Sequence, residues 1–289
     1  MNRNTTLLLV VALAGMTAAC DDMDIDLGGQ KYEAPFHYGF DVHPGARLDL
    51  ETFNGAVEIH SWDQNKVDIS GTKFANSTAL RDSIKIDATG TPDSVTVRAI
   101  RPPEHHGSMG AKFVVHVPKN IILDHITNSN GGVRIDGVDG SVNARTSNGA
   151  IHVEKVNGPV EATTSNGSIE VTDATGNLMM HTSNGHIQAD HVTGTVEAES
   201  SNGSITLNFT AAPKNNVHAT TSNSSIEISL PESAAVRVRA STSNGSISSD
   251  YEVAQSGDNS KNHLEGAIHG GGPLLDLETS NGSIKIVKP

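Results

Sequence analysis

The sequence predicts an all-β protein: a parallel β-solenoid (β-helix-like) with two short strands per coil of about 18 residues and an amino-terminal antiparallel β cap. Three observations predict it. Ser-Asn-Gly, or a near variant, recurs with its Asn at Asn130, Asn148, Asn166, Asn184, Asn202, Asn223, Asn244 and Asn281, in steps of 18, 18, 18, 18, 21, 21 and 37. Apolar residues alternate with polar ones on both sides of each Asn, which is strand periodicity. The chain of 289 residues has 28 glycines and only 3% aromatic residues, so its core is built from small aliphatic side chains between many turns.

The amino terminus reads as an address. Residues 1–20 are MNRNTTLLLVVALAGMTAAC. Arg3 supplies a short positive region, and the apolar run from Leu7 to Gly15 is too short to span a bilayer comfortably. Thr17-Ala18-Ala19 then precede Cys20, the only cysteine. This resembles a bacterial lipoprotein signal peptide, cleaved before a Cys that is then lipidated, although Thr17 stands where such signals usually carry Leu. The expectation is a membrane anchor at Cys20. Residues 21–39 begin with Asp21, Asp22, Asp24 and Asp26 and then Gly28-Gly29, and read as an acidic flexible tether.

The solenoid domain is assigned to residues 40–289. Its earliest strand pair is ETFNGAVEI, around Asn54-Gly55. Residues 65–120 break the rhythm with longer alternating strands, and are expected to form an antiparallel cap over the first coils. Residues 121–289 carry the repeats. In most of them an apolar residue (Val, Ile, Ala, Leu or, at position 180, Met) recurs six and four residues before Asn and three and five after it, and Thr or Ser recurs two before. Near-identity at equivalent positions argues for stacked coils rather than hairpins. In a parallel stack like sits on like about 4.8 Å apart, giving Ile, Thr and Asn columns and amide ladders. Gly after Asn is expected to supply a left-handed corner. A second Gly-rich turn follows at Gly140, Gly158, Gly176 and Gly194.

Two places interrupt or end the pattern. Residues 251–273 read as a loop insertion, a candidate for recognition or for a simple spacer. The chain ends on Ile286-Val287-Lys288-Pro289 directly after a strand. That predicts an uncovered edge able to pair with a partner or a second copy.

Three of these features together resemble the bacterial β-strand-repeat family labelled "putative adhesin" (DUF4097). They are the Asn54-Gly55 strand pair, an apolar strand closing on Val117-Pro118, and the serial SNGxI repeats. The resemblance covers residues 40–289 and implies the solenoid fold. It brings no catalytic or binding residues with it, and implies a cell-surface or envelope-stress setting.

The residues themselves offer little chemistry. Acidic side chains outnumber basic ones 33 to 20, without a basic block, which excludes a nucleic-acid partner. One cysteine excludes a disulfide framework and cysteine-rich metal sites. Outward columns such as Arg145, Thr163, His181, Glu199, Thr220 and Ser241 mix charges from coil to coil, as a solvated face does. His181 with Glu197 and Glu199 is the best weak candidate for a divalent cation, against a surface patch. His105-His106 reads as a polar loop, and Trp62 as packing over a turn. No catalytic residue and no cofactor is expected. The function read from the sequence is a non-catalytic, lipid-anchored cell-envelope protein presenting a scaffold or interaction surface to a protein or cell-surface partner. The alternatives are a carbohydrate-active β-helix enzyme and an accessory sensor of envelope stress.

Overall fold

The computed structural model describes residues 32–103, 107–256 and 260–289. The signal peptide, Cys20, residues 21–31 and His105-His106 lie outside the described residues.

The predicted all-β solenoid is present. Its first part comprises β1 (Tyr32–Asp41), β2 (Arg47–Asn54), β3 (Val57–Trp62), β4 (Lys66–Ala75), one short helix α1 (Thr78–Ser83), β5 (Lys85–Thr91), β6 (Ser94–Ile100), β7 (Met109–Pro118), β8 (Ile122–Asn130) and β9 (Val133–Asp136). The regular coils follow as strand pairs flanking each Ser-Asn-Gly. These are β10 (Val142–Thr146) with β11 (Ile151–Val156), β12 (Val160–Thr164) with β13 (Ile169–Ala174), and β14 (Leu178–Thr182) with β15 (Ile187–Asp190). Next come β16 (Val196–Ser200) with β17 (Ile205–Asn208), β18 (Val217–Thr221) with β19 (Ile226–Ser229), and β20 (Val236–Thr242) with β21 (Ile247–Ser249). The chain closes through β22 (Ala254–Gln255), β23 (His263–Ile268), β24 (Leu274–Thr279) and β25 (Ile284–Val287).

Each coil gives one strand to a 13-stranded sheet and one to a 12-stranded sheet, and the core lies between them. Register follows the sequence columns: Val160 pairs with Leu178, Ala162 with Met180, and Ile169 with Ile187. These inward residues are at most 2% exposed. A buried Val, Leu or Ile contributes roughly 1.5–3 kcal/mol, so the aliphatic columns dominate the stability.

Three kinds of column hold the Ser-Asn-Gly turns. The Asn amides form a ladder: Asn148 donates to Asn130, Asn166 to Asn148, Asn184 to Asn166 and Asn202 to Asn184, each at 2.8 Å. The buried Thr hydroxyls donate to the glycine carbonyl of the neighbouring coil, as Thr164 does to Gly149 and Thr182 to Gly167 at 3.0 Å. The glycines stack so closely that a Cβ on Gly149, Gly167, Gly185 or Gly203 would stand 1.6–2.0 Å from the carbonyl oxygen of the glycine one coil away. This corrects the expected reason for glycine. Among the described Asn-Gly turns, left-handed backbone occurs only at the first copies, Gly55 (φ 122°) and Gly131 (φ 159°). In the regular coils that follow, the left-handed residues Lys155, Asp173 and His191 (φ 53–56°) lie at the opposite corner.

The coils do not stack in sequence order at either end. The first coil, β2/β3, lies between the coil β6/β7 and the coil β8/β9. The last, β24/β25, lies between β18/β19 and β20/β21. This overturns the predicted carboxyl-terminal edge, since β25 pairs with β19 on one side and β21 on the other. The step of 37 residues between Asn244 and Asn281 is the length of chain that leaves the outermost coil and returns to fill the slot beneath it.

The cap also differs from expectation. Antiparallel pairing is present in β1–β4, β4–β7 and β5–β6. But β6 and β7, which lie within 65–120, join the solenoid in parallel through β2 and β3. Residues 32–39, assigned to the tether, belong to β1. One face of that strand carries Tyr32, Phe36, Tyr38 and Phe40, and the last three pack against the core. Phe40 lies over Gly90 of β5, where a Cβ would meet its ring at 2.4 Å. The insertion 251–273 is likewise largely structured: β23 pairs antiparallel with β20, and β22 with β23. Tyr251, 6% exposed, seals that end with its hydroxyl donating to the Leu230 carbonyl.

Candidate functional site

Strand alternation turns every second residue of the 13-stranded sheet outward, and those residues form the surface a partner could meet. On β14 these are Met179 and His181, which pair with Glu197 and Glu199 of β16. The structure brings together two of the three residues predicted as a weak cation site. His181 Nδ1 lies 3.3 Å from Glu199 Oε2, with both side chains about half exposed (50% and 46%). Glu197 sits beside Met179 and His218 instead. The pair is one of several imidazole–carboxylate contacts between neighbouring coils. His152 meets Glu170 at 3.0 Å, His191 meets Asp173 at 3.0 Å and His218 meets Asp276 at 3.5 Å. At this exposure such pairs are worth about 0–1 kcal/mol each.

A second cluster was missed in the sequence. Asp49, Asp124 and His125 place one donor atom each within 4.8 Å of one another. They meet because β2 is inserted beside β8, and because β8 shifts register opposite Leu48 and Asp49. That irregularity turns successive residues toward Asp49. Their charges are already engaged: Arg47 Nη1 lies 3.2 Å from Asp124 Oδ2, and His125 Nδ1 lies 3.2 Å from Asp49 Oδ1.

Beside this cluster runs a groove of about 460 Å³ that crosses the strand starts from β8 to β16. Its carboxylates are Asp124, Glu161 and Glu197, and Met179, 50% exposed, projects at its centre. Glu161 is 3.7 Å from Arg145. Along the same corner, next to the start of β8, Asp63 lies 2.7 Å from Lys119 and holds its ammonium above the ordinary lysine range. Trp62 covers its own turn as the sequence suggested, donating its indole N–H to the Lys66 carbonyl at 2.8 Å. No helix among the described residues is long and apolar enough to cross a membrane.

Residues 172–287, from within β13 to the end of β25, match the family model described as Toastrack DUF4097. That stretch, the carboxyl-terminal two-fifths of the chain, is similar in sequence to the Toastrack DUF4097 family. The Toastrack segment thus includes the inserted final coil and the hairpin that closes that end. Among solved structures the chain is similar to a "putative adhesin" from Bacteroides fragilis, at 14% identity and TM-score 0.48, over 88% of this chain and 97% of that one. It is also similar to a "putative lipid binding protein" from Parabacteroides distasonis, at 14% identity and TM-score 0.37, over 88% and 96%. A third is a "putative cell adhesion protein" from Clostridium sporogenes, at 14% identity and TM-score 0.24, over 89% and 100%. No curated protein matches the chain.

Proposed function

We propose that this is a non-catalytic, lipid-anchored protein of the bacterial cell envelope whose solenoid serves as a rigid interaction surface. One observation supports the reading above the others. Inward and turn positions repeat from coil to coil, whereas outward positions change at every coil, as Asn143, Glu161, Met179, Glu197 and His218 do along one row. Stacking constrains the first set, and the second is free to be shaped by a partner. Antiparallel strands close the amino-terminal end of both sheets and the other end of the 13-stranded sheet, and the 12-stranded sheet ends on the three-residue β21, which limits edge-to-edge aggregation and favours the faces as interaction surfaces. The chain enters the solenoid at β1, so an anchor at Cys20 holds that end near the membrane. Eleven intervening residues span at most about 40 Å.

Intact mass and membrane fractionation of wild type against Cys20→Ala test the anchor. A diacyl or triacyl increment and membrane association, both lost in the variant, support it. An unmodified protein released freely in both forms overturns it and favours a secreted protein, including the carbohydrate-active alternative.

A further inference from the structure

Trp62 is the single tryptophan of the chain. It ends β3 at the corner opposite the Asn-Gly turn, in the inserted first coil. Its ring is fixed twice: the indole N–H bonds to the Lys66 carbonyl at 2.8 Å, and His116 stacks on it with centroids 5.2 Å apart and planes 29° apart. The ring remains half-buried and borders a cleft of about 240 Å³. Exposed Gln64, Asn65 and Asn120 line that cleft together with Pro44 and Pro118, and Asp63 and Lys119 form an ion pair in its wall.

We propose that this cleft binds a neutral saccharide, one pyranose ring seated against Trp62. The apolar C–H face of a pyranose packs on a flat aromatic surface. Its vicinal hydroxyls each donate and accept, which planar amide side chains match because each offers two donors and an acceptor. Three such amides share the cleft with the one tryptophan ring. The charges of Asp63 and Lys119 answer each other across 2.7 Å, so the cleft offers no net counter-charge and favours a neutral ligand over an ion. The volume lies below the roughly 300 Å³ at which pockets begin to enclose drug-sized molecules, which suits one ring at the end of a glycan. The ring is already held in place, so binding forfeits little side-chain freedom.

The inference deepens the interaction-surface reading and rests on it for its biological setting. The lone tryptophan is its own reporter. The full-length protein in detergent is titrated with the methyl glycosides of glucose, galactose and N-acetylglucosamine, up to about 10 mM, where a millimolar site is nearly filled. The expected result is a saturable change in Trp62 fluorescence with at least one glycoside. Gln64→Ala and Asn120→Ala are expected to weaken it about tenfold each, as the loss of a well-made hydrogen bond does. Met179→Ala, on β14 three strands along the sheet from β8, leaves it unchanged. The absence of a saturable change with every glycoside overturns the proposal. So does a change that persists undiminished in the Gln64→Ala/Asn120→Ala double variant. Cys20→Ala fractionation reports on the anchor alone, so failure of this site and failure of the envelope reading are separable.

Discussion

Asn281 donates its side-chain amide to Asn223 at 2.9 Å, and Asn244 donates to Asn281 at 2.9 Å. The ladder therefore runs through the last copy of the repeat before it reaches the copy that precedes it in the chain. The carboxyl-terminal coil is an interior layer, and the coil β20/β21 with its antiparallel hairpin depends on it for support.

That dependence makes the final coil energetically central. Leu277, 1% exposed on β24, packs between coils on both sides. Leu277→Ala is expected to cost about 2–5 kcal/mol, the range for a buried large-to-small change. Urea unfolding measures it. A frayed terminal coil would instead give about 0.5 kcal/mol or less, as at ordinary surface positions.

Glycine at the turns is required by stacking rather than by backbone angle. Gly185 has no left-handed φ, but a Cβ there would meet Gly167 O at 1.7 Å. Gly45 is the converse, with φ +84° and nothing within 4 Å of its Cβ. Gly185→Ala is therefore expected to cost about 3 kcal/mol or more, because two coil backbones must part. Gly45→Ala should cost about 1–2 kcal/mol of backbone strain. Thermal melts of the two variants rank them. The reverse order would mean that backbone angle governs the turns.

The amide ladder makes a comparison of positions possible. Asn166 donates to Asn148 and accepts from Asn184. Asn244, at the outer end, donates to Asn281 and stands at the end of the row. Asn166→Ala should cost about 1–3 kcal/mol and Asn244→Ala about 0.5–1.5 kcal/mol, following the hydrogen bonds each removes. Equal costs would show that the amides do not act as a connected row.

Alkaline stability should depend on Tyr251. Burial pushes its hydroxyl above the ordinary tyrosine range, and Glu232 and Asp250 add to the shift. The neutral phenol is the form the fold holds. Its contribution is complete below about pH 10, the unfolded value, and is lost as pH rises through the higher folded value. Wild type is expected to lose stability above about pH 10. Tyr251→Phe should be less stable at neutral pH, lacking the bond to Leu230, but should lack this alkaline loss. Denaturation midpoints at pH 8 and about pH 11 decide it.

The repeat body was legible in the sequence because stacking forces the same residue types into the same columns. Val160 on Leu178 and Asn166 on Asn148 can be read directly from an 18-residue step. The ends were not, because a column does not say which coil is its neighbour. Asn281 fits beneath Asn244 as well as beyond it, and only the structure shows it in the slot. The same ambiguity hid the Asp49, Asp124 and His125 cluster, whose members come from coils adjacent in space but 75 residues apart in the chain. The strand β1 was legible in its alternating Tyr32, Phe36, Tyr38 and Phe40, but was absorbed into the acidic run before it. His181 and Glu199 met as predicted because both lie in the regular coils, and Glu197 stands one outward position along the same strand.

Amide hydrogen exchange at Ile284 tests the interior placement of the chain end most directly. Its N–H donates to the Ser246 carbonyl at 3.0 Å, and the Ser283 carbonyl beside it accepts from Ile226 at 3.0 Å. Ile284 is expected to exchange as slowly as Ile169 in the central coils, through global unfolding alone. Fast exchange at Ile284 with Ile169 still protected would show a fraying terminal strand, and would contradict a stack closed over its own carboxyl terminus.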